Sequence, residues 1–413
     1  MPEFLDLLPP QEALNVFLSA IRNSVHHLDF EEVDTENSLG RILAKPIFSP
    51  HPLPEFPRST VDGYAVRAAD TFGASESLPA YLSLIGEIPM GDIPKIILEP
   101  DQSALIHTGG MIPNGADAVV MLEDTQSVRD TEIEVLKSVA VGENVIQIGE
   151  DVQKGEVVIP AGMRLRPAEI GGLMALGFVS VKVVKKPRIG IISSGDEVIP
   201  PNQTPRLGQV RDVNAYTLSA LVESVGGEPI GYGIVGDNQK EMLPVLKEAM
   251  KTDDMVIITA GSSASTRDLT ADVINNLGKP GVLVHGVNIR PGKPTILGIS
   301  DGVVMVGLPG NPVSALSNSY LFVVPAIKTL LGEATRGPRP TVKAKLAINI
   351  ASQTGREDWI PVRILETEAG YLAEPIFGRS NLIFTLARAV GLIRIPLDAN
   401  GLEAGEIVDV VYM

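Results

Sequence analysis

Carboxylates, hydroxyls and cations recur beside glycine at five places between residues 193 and 312. They are Ser193-Ser194-Gly195-Asp196-Glu197, Val235-Gly236-Asp237, Ala260-Gly261-Ser262-Ser263, Arg290-Pro291-Gly292-Lys293-Pro294 and Leu308-Pro309-Gly310-Asn311-Pro312. Glycine lets backbone N–H groups approach a ligand closely, and a helix opening at Pro312 adds partial positive charge, so the set suits an anion such as a phosphate. Asp196, Glu197, Asp237 and Asp268 are candidate holders of Mg²⁺, which takes one or two carboxylates and completes its shell with substrate oxygens. One such turn is ordinary in an α/β protein, and a lone aspartate there is often a helix cap. Five together point to a site. Pro294 stands where a P-loop places its magnesium-binding hydroxyl after Gly-Lys, so this is not a nucleotide-binding loop of that type.

Other chemistries find no residues to carry them. The chain has no cysteine, which removes disulfides, thiolate nucleophiles and Cys-ligated metals. His26, His27, His51, His107 and His285 form no HExxH pattern, and no Gly-x-Ser-x-Gly elbow is present, so zinc-peptidase and serine-hydrolase mechanisms are unsupported. A formal net charge of −16 with no Lys/Arg run argues against nucleic acid as a partner. An anionic substrate would need its cations gathered locally, because the long-range field is unfavourable and salt screens it beyond about 8 to 10 Å.

The elements that must position these residues follow from apolar periodicity. With 413 residues, 44% apolar and 20% charged, the chain is a soluble, multidomain length and composition. Leu14, Phe17, Leu18, Ile21 and Val25 mark an amphipathic helix that leads to a strand at Glu31-Glu32-Val33. Short apolar runs broken by Gly, Pro and Asp, including Ala80 to Ile88 and Ala116 to Met121, predict a small β-rich domain inserted over residues 51–145. The stretch from Val157 to Lys182, with a helix opening at Pro167 and closing at Gly177, is expected to return to the N-terminal part.

From Pro187 strands and helices alternate: strand Ile189 to Ile192, helix Asn214 to Val225, strand Ile230 to Val235, helix Asn238 to Lys251, strand Met255 to Thr259, then a helix carrying Leu269, Val273 and Ile274. Two further strands, Val282 to Val287 and Val303 to Gly307, precede a helix with Asn311 as cap and Pro312 at its first position. The uncharged stretch Gly302 to Ile327 contains Pro309, Gly310, Asn311 and Pro312, so it reads as strand, turn and helix rather than a membrane span. The expected fold class is α/β multidomain. A central doubly wound, mostly parallel sheet (183–335) is flanked by an extended N-terminal α+β part (1–50 and 146–182), the inserted β-rich domain (51–145) and a C-terminal β-barrel-like domain (336–413). The first residues lack a basic n-region and apolar core, which predicts a cytoplasmic protein.

Phe56-Pro57-Arg58-Ser59-Thr60-Val61-Asp62-Gly63-Tyr64-Ala65-Val66 resembles the most diagnostic segment of the MoeA/gephyrin E-domain family of molybdopterin molybdenumtransferases. Further matches follow in family order: Thr108-Gly109-Gly110, Gly115-Ala116-Asp117-Ala118, Gly149-Glu150-Asp151, Ser194-Gly195-Asp196-Glu197, Arg211-Asp212-x-Asn214, Pro291-Gly292-Lys293-Pro294, Leu308 to Ser314, Gly355-Arg356, Ser380, Gly391-Leu392-Ile393 and Ala404-Gly405-Glu406. The resemblance implies a cytoplasmic homodimer with a molybdopterin-binding type of α/β domain, inserting molybdate into adenylylated molybdopterin with release of AMP and with Mg²⁺ as cofactor. It implies catalytic roles for Asp62, Glu197, Asp237 and Asp268, with Asp237 and Asp268 on the metal. Thr108, Asp151, Ser194, Gly195, Gly261, Ser262, Pro309, Gly310 and Pro312 are implied substrate contacts. Arg290, Lys293, Ser314, Arg356 and Ser380 are the implied molybdate pocket, and a separate molybdopterin adenylyltransferase is an implied partner.

This chain departs from the family pattern at Ile146 and Gly286, where basic residues are frequent, at Arg290, where Lys is usual, and in the 260–265 loop. The alternatives are a non-catalytic pterin-binding scaffold, a nucleotide pyrophosphatase on the same α/β domain, and a tungstate-inserting homologue.

Overall fold

Strands buried on both faces build the central sheet. Met255–Ala260 and Val303–Pro309 are buried at every position, as expected of parallel strands covered by helices on either side. A computed structural model of the chain describes residues 7–25, 29–260, 264–334 and 340–413, with the side chains of 264–268 outside the description. The expected domain junction at 335/336 lies outside the described residues.

The six strands run in the order Glu228–Val235, Arg188–Ser194, Met255–Ala260, Val303–Pro309, Ile296–Ser300, Pro280–His285. The first four are mutually parallel, and Ile296–Ser300 is antiparallel to both neighbours. That strand was not foreseen. It pairs with Val303–Pro309 through a turn in which Asp301 (φ 47°) and Gly302 (φ 86°) are left-handed, the Asp-Gly hairpin chemistry.

Alternation splits the core into two. Met255, Ile257, Val304, Val306 and Leu308 pack with Leu218 and Val222 of helix Asn214–Ser224, with Phe17 and Ile21 of helix Pro10–Ser24, and with Val313 and Ala315 of helix Pro312–Asn318. Val256, Ile258 and Met305 face the other way, against Met242 and Leu246 of helix Gln239–Ala249 and Val273 and Ile274 of helix Ala264–Leu277. Truncating one such residue, as in Ile257→Ala, costs about 2 to 5 kcal/mol.

The C-terminal strands close into a barrel. Glu357–Thr367 pairs with Gly370–Pro375, which pairs with Thr341–Leu346, then Ile407–Tyr412, then Gly391–Ile395, which returns to Glu357–Thr367. Ala344, Leu346, Val362, Ala373, Ile393 and Val410 fill its interior. The short strand Ile289–Arg290, leaving the α/β part, adds itself in parallel to the barrel strand at Glu357–Asp358.

Contact density divides the chain into two compact units, Met1–Ala44 with Gly162–Arg166 and Ser180–Met413, and Lys45–Ala161 with Pro167–Val179. The first contains the α/β sheet, the barrel and the pairing of Phe30–Asp34 with Ser180–Val184. The second contains the β-rich sheet Ala118–Met121, Gly63–Val66, Gln102–Ile106, Ala80–Glu87, Glu132–Val135, Thr125–Arg129, and the pairing of Ile47–Phe48 with Val157–Ile159. Among the described residues no helix is long and apolar enough to cross a membrane. The uncharged stretch from Gly302 resolves into a strand and helix as expected.

Candidate functional site

A cleft of 1040 Å³ lies between the α/β sheet's loops and the barrel, and its wall includes Arg290, Lys293, Ser314, Arg356 and Ser380. All five expected oxyanion residues therefore share one cavity. Among the described residues its charged lining consists of Arg290, Lys293, Arg356 and Arg379 against Asp358 alone. Four cations less one carboxylate leave a net of three positive charges, in a chain whose formal charge is −16. Such segregation opposes the overall field where an anion would enter.

Backbone register explains how two arginines from distant segments meet. Arg290 pairs directly with Asp358 in the short parallel ladder, and Arg356, in the bend just before the strand Glu357–Thr367, folds back onto the same carboxylate. Arg356 Nε donates to Asp358 Oδ1 at 2.8 Å, and Arg290 Nη1 stands 3.8 Å from Oδ2. Ser352 Oγ donates to the same Oδ2 at 2.9 Å. The Asp358 side chain is 1% exposed, whereas Arg356 is 28% and Arg290 62% exposed, so the arginines face outward from a buried anchor. Asp358 and Arg379 were not singled out from the sequence. Asp358 had only its nearness to Arg356 in the sequence, and Arg379 only its adjacency to Ser380.

The loop carrying Lys293 is held from beneath. Buried Asn318 donates through Nδ2 to the Gly292 carbonyl at 2.9 Å and to Thr295 Oγ1 at 2.5 Å. Gly292 has φ 108°, and a Cβ there would lie 2.0 Å from Asn318 Nδ2, so glycine is required on both counts. Ser380 is tied to the opposite wall: Asn311 Nδ2 donates to its hydroxyl at 3.0 Å, and the Val313 N–H donates to its carbonyl at 2.9 Å. Asn311 occupies the cap position as expected, but its side chain makes no cap bond. Its amide nitrogen reaches Ser380 instead. Among the described residues Lys293 and Arg379 form no ion pair.

The acidic turns sit at the carboxyl ends of the first parallel strands. Ser194, 4% exposed, donates its hydroxyl to Asp237 Oδ1, and the Asp237 N–H donates to Asp196 Oδ1 at 3.3 Å. The helix cap is Asn238, whose Oδ1 accepts from the Glu241 N–H at 3.0 Å while Glu241 accepts from the Gly236 N–H at 2.9 Å. These donors hold the Glu241 carboxyl below its ordinary range, the Asn238 amide first and the Gly236 N–H second. Asp237 is thereby left out of capping, with its carboxylate turned to Ser194. Glu197 is exposed beside Gly195. Gly310 accepts from Asn214 Nδ2 at 2.8 Å, Pro309 lines the cleft and Pro312 heads the helix. Gly261, Ser262 and the side chain of Asp268 lie outside the described residues. Among the described residues no three carboxylates or histidines converge as a metal cluster. Asp237 and Asp196 nevertheless form a donor set of the kind Mg²⁺ takes when a substrate phosphate supplies the rest.

In the second unit, Asp62 and Thr108 come together. Gly63 pairs with Ile106, which sets Asp62 beside the end of the neighbouring strand. Asp62 Oδ1 accepts from the Thr108 N–H at 2.7 Å and from its hydroxyl at 3.1 Å. The backbone donor above all, then the hydroxyl, holds the Asp62 carboxyl below its ordinary range. Gly63 also allows the close approach of the strand Ala118–Met121 on its other side, since a Cβ there would meet the Val120 carbonyl oxygen at 1.9 Å. His107, not foreseen, lies 3.7 Å from Asp62 through Nδ1 and 3.0 Å from Glu87 through Nε2. Asp151 is exposed, with its N–H donating to the Leu53 carbonyl at 3.1 Å.

Family models match nearly the whole chain: the MoeA N-terminal region (domain I and II) over residues 8–177, a "Probable molybdopterin binding domain" over 190–329, and the MoeA C-terminal region (domain IV) over 343–412. The sequence is similar to a Methanocaldococcus jannaschii protein named for molybdopterin biosynthesis, 38% identical over 394 residues that cover 93% of this chain and 92% of that one. It is similar to the molybdopterin molybdenumtransferase of Staphylococcus aureus, 32% identical over 405 residues, covering 98% and 95%. The crystal structure of the molybdopterin biosynthesis MoeA protein from Pyrococcus horikoshii OT3 matches the fold with a TM-score of 0.85 at 34% identity, covering 99% of this chain and all of that one.

Proposed function

This chain belongs to the MoeA family, and from that premise we propose that it is a molybdopterin molybdenumtransferase, inserting molybdate into adenylylated molybdopterin with release of AMP. The observation that carries the reading is the cationic cleft, where Arg290, Lys293 and Arg356 stand with the hydroxyls of Ser314 and Ser380. A tetrahedral dianion needs several cations and hydroxyl donors around it, and guanidinium groups grip two of its oxygens at once. Arg290 keeps the charge of the lysine usual in relatives and adds that fork.

The acidic turns have the complementary task. Asp237 and Asp268 would hold Mg²⁺, which supplies charge neutralisation at the phosphoanhydride. Ser194 fixes the Asp237 carboxylate by its hydroxyl bond, and Glu197, Gly195, Gly261, Ser262, Pro309, Gly310 and Pro312 contact the pterin or its nucleotide. Asp62, Thr108 and Asp151 contribute from the N-terminal part. Phosphoryl chemistry of this kind demands positioning and electrostatics more than a protein nucleophile, and the sulfurs that receive the metal belong to the pterin. A chain without cysteine can therefore perform it.

The same proposal includes a homodimer in the cytoplasm, supplied by a separate molybdopterin adenylyltransferase. It also includes the four-part division into 1–50 with 146–182, 51–145, 183–335 and 336–413. Purified protein given adenylylated molybdopterin, Mg²⁺ and molybdate is expected to release AMP. Release no greater than in a protein-free control rejects the activity, and sedimentation as a monomer rejects the dimer.

A further inference from the structure

Resting on the oxyanion reading of the cleft, we propose that buried Asp358 sets the charge of that site, lowering its affinity and holding its preference between mono- and dianions at a moderate value. Among the described residues Asp358 is the single carboxylate in a wall with four cations. It is 1% exposed, so water screens it poorly, and it sits directly behind the two arginines, 2.8 Å from Arg356 and 3.8 Å from Arg290. Ser352 saturates it further. Each arginine therefore meets an incoming anion with part of its charge already answered by a fixed neighbour.

The arrangement has a catalytic reason. An oxyanion bound too tightly before transfer gains nothing in the transition state and is harder to hand on, so ground-state affinity beyond need lowers turnover. Four uncompensated cations would hold a dianion in such a trap. Asp358 keeps both guanidinium groups in place while removing one unit of attraction.

A second role for the same carboxylate, pure alignment of the arginines, makes a different prediction. Coulomb energy is proportional to the product of the charges. Removing one negative charge behind the site must therefore strengthen binding of a dianion by the square of the factor for a monoanion of equal shape. Loss of alignment acts on both anions alike and weakens them.

Molybdate and perrhenate are tetrahedral oxyanions of nearly equal size carrying two charges and one. Their dissociation constants are measured by calorimetry at one fixed ionic strength for wild type and Asp358→Asn. The expected result is tighter binding of both, about 10-fold for perrhenate and on the order of 100-fold for molybdate, so that the preference for the dianion rises about 10-fold. Weaker binding, or an equal change for both, overturns the charge-setting role and leaves Asp358 as an alignment residue. Ser352→Lys is a second variant that keeps Asp358 and neutralises it from the half-buried position beside it. It is expected to raise the same preference, and an unchanged ratio there counts against the proposal even if Asp358→Asn does not fold. Binding of both anions by Lys293→Ala at the wild-type affinity overturns the oxyanion site itself, an outcome distinct from failure of the charge-setting role alone.

Discussion

The cationic cleft and the acidic turns lie in the same unit and are built on opposite principles. In the cleft, most of the wall is tied down by side chains: Arg290 and Arg356 to Asp358, Ser380 to Asn311 and Val313, the Gly292 loop to Asn318. In the turns, Asp196 and Glu197 are exposed, and Asp237 has one hydroxyl and one backbone bond to a neighbouring turn. A site that must attract an anion to an acidic protein needs donors fixed in advance, because disorder among cations spends the little attraction available. Carboxylates awaiting a hydrated cation and a phosphate need less, since those ligands complete the geometry on arrival.

If that contrast is right, variants of the two regions fail differently. Arg356→Ala has the largest expected effect: it removes a cation and leaves buried Asp358 short of its main partner, so kcat/KM falls about 10²- to 10³-fold and molybdate binding weakens with it in calorimetry. Asp237→Asn is expected to lower AMP release by about 10²-fold while molybdate binding stays near wild type. A parallel loss of molybdate binding in Asp237→Asn would erase the distinction. Gly292→Ala tests how rigid the cleft is. Forced φ and collision with Asn318 are expected to cost about 1 to 3 kcal/mol in denaturant unfolding and to weaken molybdate binding through Lys293.

The smallest effect belongs to the reverse face of the strand that carries Asp358. Burial, the leading cause, pushes the Glu357 carboxyl up, against the opposing hydrogen bond from Trp359 Nε1 at 2.7 Å and the charge of Arg394 at 3.5 Å. A raised carboxyl favours the protonated folded state, so its contribution is fully present in acid and is lost as pH rises through the raised value. Glu357→Gln, which keeps an acceptor for Trp359, is expected to raise Tm by a few degrees near neutral pH and not in acid, with oxyanion binding unchanged. A Tm gain equal at both pH values would show that ionisation of Glu357 is not its cause.

Much of this architecture was legible before any coordinates. Apolar runs such as Met255–Ala260 and helix signals such as Asn238 and Pro312 located the doubly wound sheet, because burial on both faces leaves little freedom of interpretation. The strand Ile296–Ser300 was overlooked although Asp301-Gly302 advertised its hairpin. Arg290, Lys293, Ser314, Arg356 and Ser380 were named from family resemblance, and the fold places them around one cavity. Spacing alone could not have joined residues 290 and 356. Asn318 was invisible for a physical reason: its work depends on a contact with Gly292 across 26 positions, set by how a helix lies under a loop. Asp358 looked like one more acidic residue among 50 until the parallel register put Arg290 opposite it.

That register carries a mechanical consequence. Because Ile289–Arg290 is an added strand of the barrel, the jaws around the cleft share backbone hydrogen bonds, and swinging them apart would first have to break that ladder. Admission to this seam is then a question of fitting a fixed aperture, and exchange of its amide protons should be slow with or without an occupant.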